Sequence, residues 1–71
     1  MPFVSIRLVK EVIADDPVGK KAKIAAGIVK SITETTGLGN DDVWVVFEEV
    51  AAADWYVGPV SVGTRRKADG K

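Results

Sequence analysis

The spacing of apolar residues changes period twice along this chain, and no other feature constrains the fold as much. From Pro2 to Val9 they alternate, Val4, Ile6 and Leu8 on one side and Phe3, Ser5 and Arg7 on the other, as in a half-buried strand. Asp15-Asp16-Pro17 then supplies an N-cap carboxylate ahead of a proline at the first helical position. There the fixed φ of proline suits a helix and its missing N–H costs nothing. Val18, Ala22, Ala25, Ile28, Val29 and Ile32 recur at three- and four-residue spacing, with Lys20, Lys21, Lys23 and Lys30 mostly opposite, which predicts an amphipathic helix. Gly37 is placed to end it in a left-handed conformation, and Gly39-Asn40-Asp41 turns the chain again. The next run, Val43 to Glu49, is dense enough in apolar residues to predict a second strand buried on both faces.

Strand, helix, strand with one long connection is a β-α-β unit, so the strands are expected to be parallel and the crossover right-handed. The fold class is therefore α/β (α+β). Beyond Val50, the stretch Ala51 to Pro59 predicts a loop or short hairpin, with Val60 to Val62 adding a short strand. The tail from about Thr64 is charged and contains glycine, and is expected to be mobile unless a neighbouring subunit holds it. Residues 1–71 make one domain without internal repeats.

Two strands cannot stand alone, and a lone chain this short buries a smaller share of its surface than a mid-sized domain does. Chains of this size usually gain stability from disulfides, a structural metal or self-association, and this one has neither cysteine nor histidine. Self-association is what remains, and a 46% hydrophobic content provides apolar surface for it. Ten basic and ten acidic side chains cancel, leaving no long-range field to attract nucleic acid or an anionic membrane. No apolar run approaches the roughly 20 residues that cross a bilayer, and no secretory leader pattern is present, so a soluble cytoplasmic protein is expected.

The absence of histidine and cysteine removes the Ser-His, Cys-His and usual transition-metal constellations. The connection Val9 to Asp16 has no glycine for close approach to a phosphate, which argues against nucleotide binding in the Rossmann or P-loop manner. Glu48 and Glu49 are adjacent on a strand, point to opposite faces, and cannot share one site within a chain. Arg7 needs a partner on its strand, and a salt bridge to Glu48 or Glu49 is preferred over a substrate role.

Met1-Pro2 is the unusual feature. Initiator methionine before a small residue is commonly removed, and removal leaves a secondary amine at the end of a rigid strand. An α-amino group has a reference pKa of about 7.7 to 8.0, and burial or a nearby cation lowers it. A base is most efficient when its pKa lies near the working pH. Pro2 also has a purely structural role open to it, as a strand start that needs no N–H partner.

The opening Pro2-Phe3-Val4-Ser5-Ile6-Arg7-Leu8, the amphipathic helix, the Thr36-Gly37 break and the run Asp41 to Val50 together resemble the 4-oxalocrotonate tautomerase family over nearly all of Pro2 to Arg66. The resemblance implies a β-α-β subunit whose pairs form trimers of dimers, and an amino-terminal proline that moves a proton between positions of an enol or enolate substrate. Pro2 matches the catalytic proline. Trp55 falls where the family has an aromatic residue that makes the pocket apolar, and Arg66 matches a C-terminal arginine near the pocket in some members. Two family arginines are missing: the first strand-to-helix loop is about four residues longer here, with Lys10 the nearest cation, and the second-strand arginine falls at Trp44.

The expected function is keto-enol tautomerisation of a small 2-oxo or enol acid, with Pro2 as general base. Trp55, with Trp44, would exclude water, and Lys10 or Arg66 would hold the substrate carboxylate. Trp44 is otherwise core or interface filler. This chemistry needs no cofactor or metal. The expected partners are a small-molecule carboxylate and other copies of the chain in a trimer or hexamer, with a hetero-oligomer as a variant. The alternatives are a hydratase or dehalogenase of the same superfamily, with Glu48, Glu49 or Asp54 activating water, or a non-catalytic subunit of a hetero-oligomer.

Overall fold

The computed structural model describes residues 1–68. Strand β1 (Phe3–Val9) and strand β2 (Trp44–Val50) pair in parallel, Phe3 opposite Trp44 at one end and Val9 opposite Val50 at the other. Helix α1 (Pro17–Thr36) makes the crossover. After β2 come a 3-10 turn at Ala52–Asp54, a hairpin of β3 (Tyr56–Val57) and β4 (Val60–Ser61), and helix α2 (Val62–Ala68). The β-α-β unit with a short C-terminal hairpin is therefore the observed architecture. The tail expected to be mobile from about Thr64 is helical as far as Ala68, and the rest of it lies outside the described residues. Among the described residues no helix is long and apolar enough to cross a membrane.

The local signals around α1 act as their chemistry dictates. The Asp16 carboxylate accepts from the Gly19 N–H at 3.1 Å, Pro17 occupies the first turn, and Gly37 closes the helix at φ 79°, a left-handed conformation that glycine alone adopts without strain. Asp16→Ala is expected to destabilise the protein by about 1 kcal/mol, seen as a lower urea midpoint at matched protein concentration.

One face of the sheet, formed by Val4, Ile6, Leu8, Val45 and Phe47, is half-buried beneath α1. The helix stripe that meets it differs from the predicted one at its start: Val18 is 81% exposed, whereas Lys21 is half-buried and its amine pairs with Glu49 on that face. A lysine stem can cover apolar surface while its charged end finds a partner, so residue 21 takes the inward position and Val18, three residues earlier, turns out.

The opposite face is open. Phe3, Trp44 and Val46 are 61%, 57% and 45% exposed, so β2 is not buried on both faces as its composition predicts. Its apolar density is real, but the second covering layer is not supplied by this chain. The buried apolar residues among those described are Ile13, Val43 and Ala52, and all three lie outside the strands and α1. So small a core offers a chain of this size little stability, and the exposed sheet face leaves apolar surface open to solvent.

Candidate active site

Pro2 stands at the open end of β1, before the first strand residue. The Trp44 N–H donates to the Pro2 carbonyl at 3.1 Å, which extends the parallel ladder one step and holds that carbonyl in place. Pro2 is half-buried, whereas Met1 is 79% exposed and accessible to removal. With Met1 in place the Pro2 nitrogen is an amide without basicity; its removal would free a secondary amine at a position already set by the strand.

Three of the other four candidate residues gather at the opposite end of the sheet. Lys10 begins the 3-10 turn Lys10–Ile13 that follows β1. Within that turn Glu11 reaches across to the chain leaving β2, where its Oε1 accepts from the Ala52 N–H at 2.8 Å. This bond holds the Glu11 carboxyl below the usual carboxylate range; partial desolvation opposes the shift, and the charges of Lys10 and Arg66 add to it. Arg66 is half-buried on α2, which packs on the Ala52–Asp54 turn closely enough that a Cβ on Gly63 would lie 3.3 Å from the Ala53 nitrogen. Trp55 is half-buried at the end of the same turn: its N–H donates to the Ala52 carbonyl at 3.3 Å and its carbonyl accepts from Val62 at 2.6 Å.

Lys10, Trp55 and Arg66 thus share the end of the sheet where the strands finish, and Pro2 and Trp44 share the end where they begin. Eight residues of extended chain from Pro2 to Lys10 span roughly 26 Å, too far for one small substrate to bridge within a subunit. Among the described residues the single chain encloses no cavity. Trp44 presents its ring to the open sheet face, level with Phe3, and is not core filler of its own chain.

Of the remaining charged candidates Arg7, Glu48 and Glu49 are engaged, and Asp54 is exposed at the end of the Ala52–Asp54 turn. Arg7 donates to Glu48 at 3.2 Å on the open face, as the strand pattern predicts. Glu49 points to the helix side and pairs with Lys21, so the adjacent glutamates do lie on opposite faces. Glu11 carried no recognisable signal in the sequence, because its partner is a backbone N–H far along the chain and no local motif announces such a contact.

A parallel β-α-β unit of this size, with a proline heading the first strand and an open apolar sheet face, defines a class of small α/β proteins. The chain belongs to the tautomerase family: the family described as "Tautomerase enzyme" matches residues 2–65. It is similar to the protein "Probable tautomerase K2" of Dickeya dadantii (strain 3937), with 31% identity over 67 residues that cover 94% of this chain and 96% of that protein. No solved structure matches.

Proposed function

We propose that the mature protein is a 4-oxalocrotonate tautomerase-like isomerase that carries a proton between carbon and oxygen positions of a small 2-oxo or enol acid. The general base is the Pro2 amine freed by loss of Met1. The observation that carries this reading is the placement of Pro2, half-buried and locked by the Trp44 N–H at the head of β1. A base of this kind gains its rate from fixed geometry and from a pKa near the working pH.

In the catalytic step the Pro2 nitrogen takes the proton from the enol hydroxyl of the substrate and returns it to carbon, so the amine ends as it began. The substrate carboxylate and the oxygen on which charge develops need cations. Lys10 and Arg66 supply them, and Trp55 closes the site against water. Since these residues lie at the far end of the sheet from their own Pro2, each site is completed by another subunit, in a cytoplasmic trimer or hexamer. Trp44, beside Pro2, serves that junction.

Family membership and the relative named a probable tautomerase support this activity. The hydration alternative is left with Asp54 as its water-activating carboxylate, because Glu48 and Glu49 are both held in ion pairs. The test is ketonisation of 2-hydroxymuconate or phenylenolpyruvate by the purified mature chain, with the intact mass recorded alongside. The expected result is catalysis by protein lacking Met1. Full-rate catalysis by protein that retains Met1 would exclude Pro2 as the base, and no catalysis by mature protein at any concentration would favour a non-catalytic subunit.

A further inference from the structure

We infer that Glu11 is a positioning residue, whose carboxylate clasps the Ala52 N–H and so holds the turn that carries Lys10 against the segment that carries Trp55 and Arg66. The inference rests on the tautomerase reading for its catalytic consequence and on geometry for the clasp itself. Among the described residues, the Glu11–Ala52 bond is the side-chain hydrogen bond that joins the β1–α1 connection to the chain beyond β2. The acceptor is well matched to its donor. Ala52 opens a 3-10 turn, so its N–H has no partner within the turn, and the residue is 3% exposed, out of reach of solvent as a substitute.

Everything else at this end hangs from the same point. The Ala52 carbonyl receives the Trp55 N–H, the Trp55 carbonyl receives the first N–H of α2, and Gly63 lets α2 lie directly on the Ala52–Ala53 backbone. One carboxylate therefore sets where Trp55 and Arg66 stand relative to Lys10. The charged groups that face Glu11 are Lys10 from its own turn and Arg66 from α2, both cationic, and the carboxylate's hold on the Ala52 N–H depends on neither. The long connection after β1 gives Glu11 its reach. It also places a negative charge beside the substrate cations, where it limits their field while it fixes their geometry.

The test compares Glu11→Ala and Glu11→Gln in the full-length mature protein, by steady-state ketonisation of an enol acid and by amide hydrogen exchange at Ala52. Glutamine keeps an oxygen that accepts the same N–H. Glu11→Ala is expected to raise KM about 10-fold with a smaller change in kcat, because carboxylate binding is displaced while Pro2 is untouched, and Glu11→Gln is expected to stay within about threefold of wild type. Ala52 exchange should accelerate in the alanine variant alone. A wild-type KM in Glu11→Ala would overturn the positioning role, as would an equal defect in Glu11→Gln, which would show that charge alone matters. Should the wild type not ketonise enol acids, the tautomerase reading fails and the catalytic role of Glu11 falls with it. The clasp is then judged by exchange, and unchanged Ala52 protection in Glu11→Ala would overturn that too.

Discussion

Pro2→Ala is expected to lower kcat/KM for ketonisation of an enol acid by about 10²- to 10⁴-fold, the range that a positioned general base contributes. Alanine leaves a primary amine in place of the secondary one, so a basic nitrogen survives; what is lost is its placement. The pyrrolidine ring ties the nitrogen to the Pro2 side chain and so gives its lone pair a fixed direction, and the Trp44 N–H pins the adjoining carbonyl. The primary amine of an alanine terminus turns freely about its N–Cα bond, and a base whose lone pair is not aimed at the proton forfeits most of the advantage of proximity. The loss should fall on kcat more than on KM, since the groups proposed to bind the carboxylate are elsewhere. A 3-halopropiolate should label wild type at Pro2. Equal rates in the two proteins, or absence of label on Pro2, would remove this residue from the mechanism.

The second large effect is expected from Val46→Glu. Val46 lies on the open sheet face between Trp44 and the Arg7–Glu48 pair and is 45% exposed in the single chain. A glutamate there adds no buried charge to an isolated subunit, so its effect on the subunit alone should stay within about 0.5 kcal/mol. In an assembly that covers this face, the same carboxylate is desolvated without a partner, at a cost of several kcal/mol per copy. Native mass spectrometry should therefore show wild type as a trimer or hexamer and Val46→Glu as smaller species. Activity should fall in step with assembly, because Pro2 and the cluster of Lys10, Trp55 and Arg66 occupy opposite ends of one subunit. A variant that keeps both the wild-type mass and rate would show that this face is not the contact. A variant that dissociates yet retains its full rate would show that the site is complete within one chain.

These two expectations differ in how far each was legible from residue order. The Pro2 proposal is written at the terminus: the position of a proline after Met1, ahead of an alternating strand, needs no tertiary information to attract notice. The opposed placement of Lys10 against Pro2 also follows from a parallel β-α-β unit, in which both strands end on the same side, whereas Arg66 lies on a helix where a mobile tail is expected. The clasp between Glu11 and Ala52 was not legible, and neither was the exchange of Val18 for Lys21 on the inner face of α1. Helical periodicity locates an apolar stripe but leaves its rotation uncertain where a lysine stem competes with a valine at its edge. The density of β2 was misleading in a more useful way. It predicts burial on two faces, the chain covers one, and the difference marks apolar surface that the single chain leaves open.

Residue order alone determined the elements and their sequence: the alternation of β1, the Asp16-Pro17 start and Gly37 stop of α1, and the turn before β2 are all local, set by backbone sterics and by hydrogen bonds between residues a few positions apart. It also carried enough of the family pattern for the chain to be placed among the tautomerases. Only the tertiary structure decided which residues meet across the chain. The Glu11 carboxylate finding the buried Ala52 N–H, Lys21 reaching Glu49, and α2 settling on the turn after β2 depend on solvent exclusion and on distances between segments far apart in sequence. Such contacts leave no periodic trace, because the partner of each group is chosen by the packed geometry and not by its neighbours along the chain.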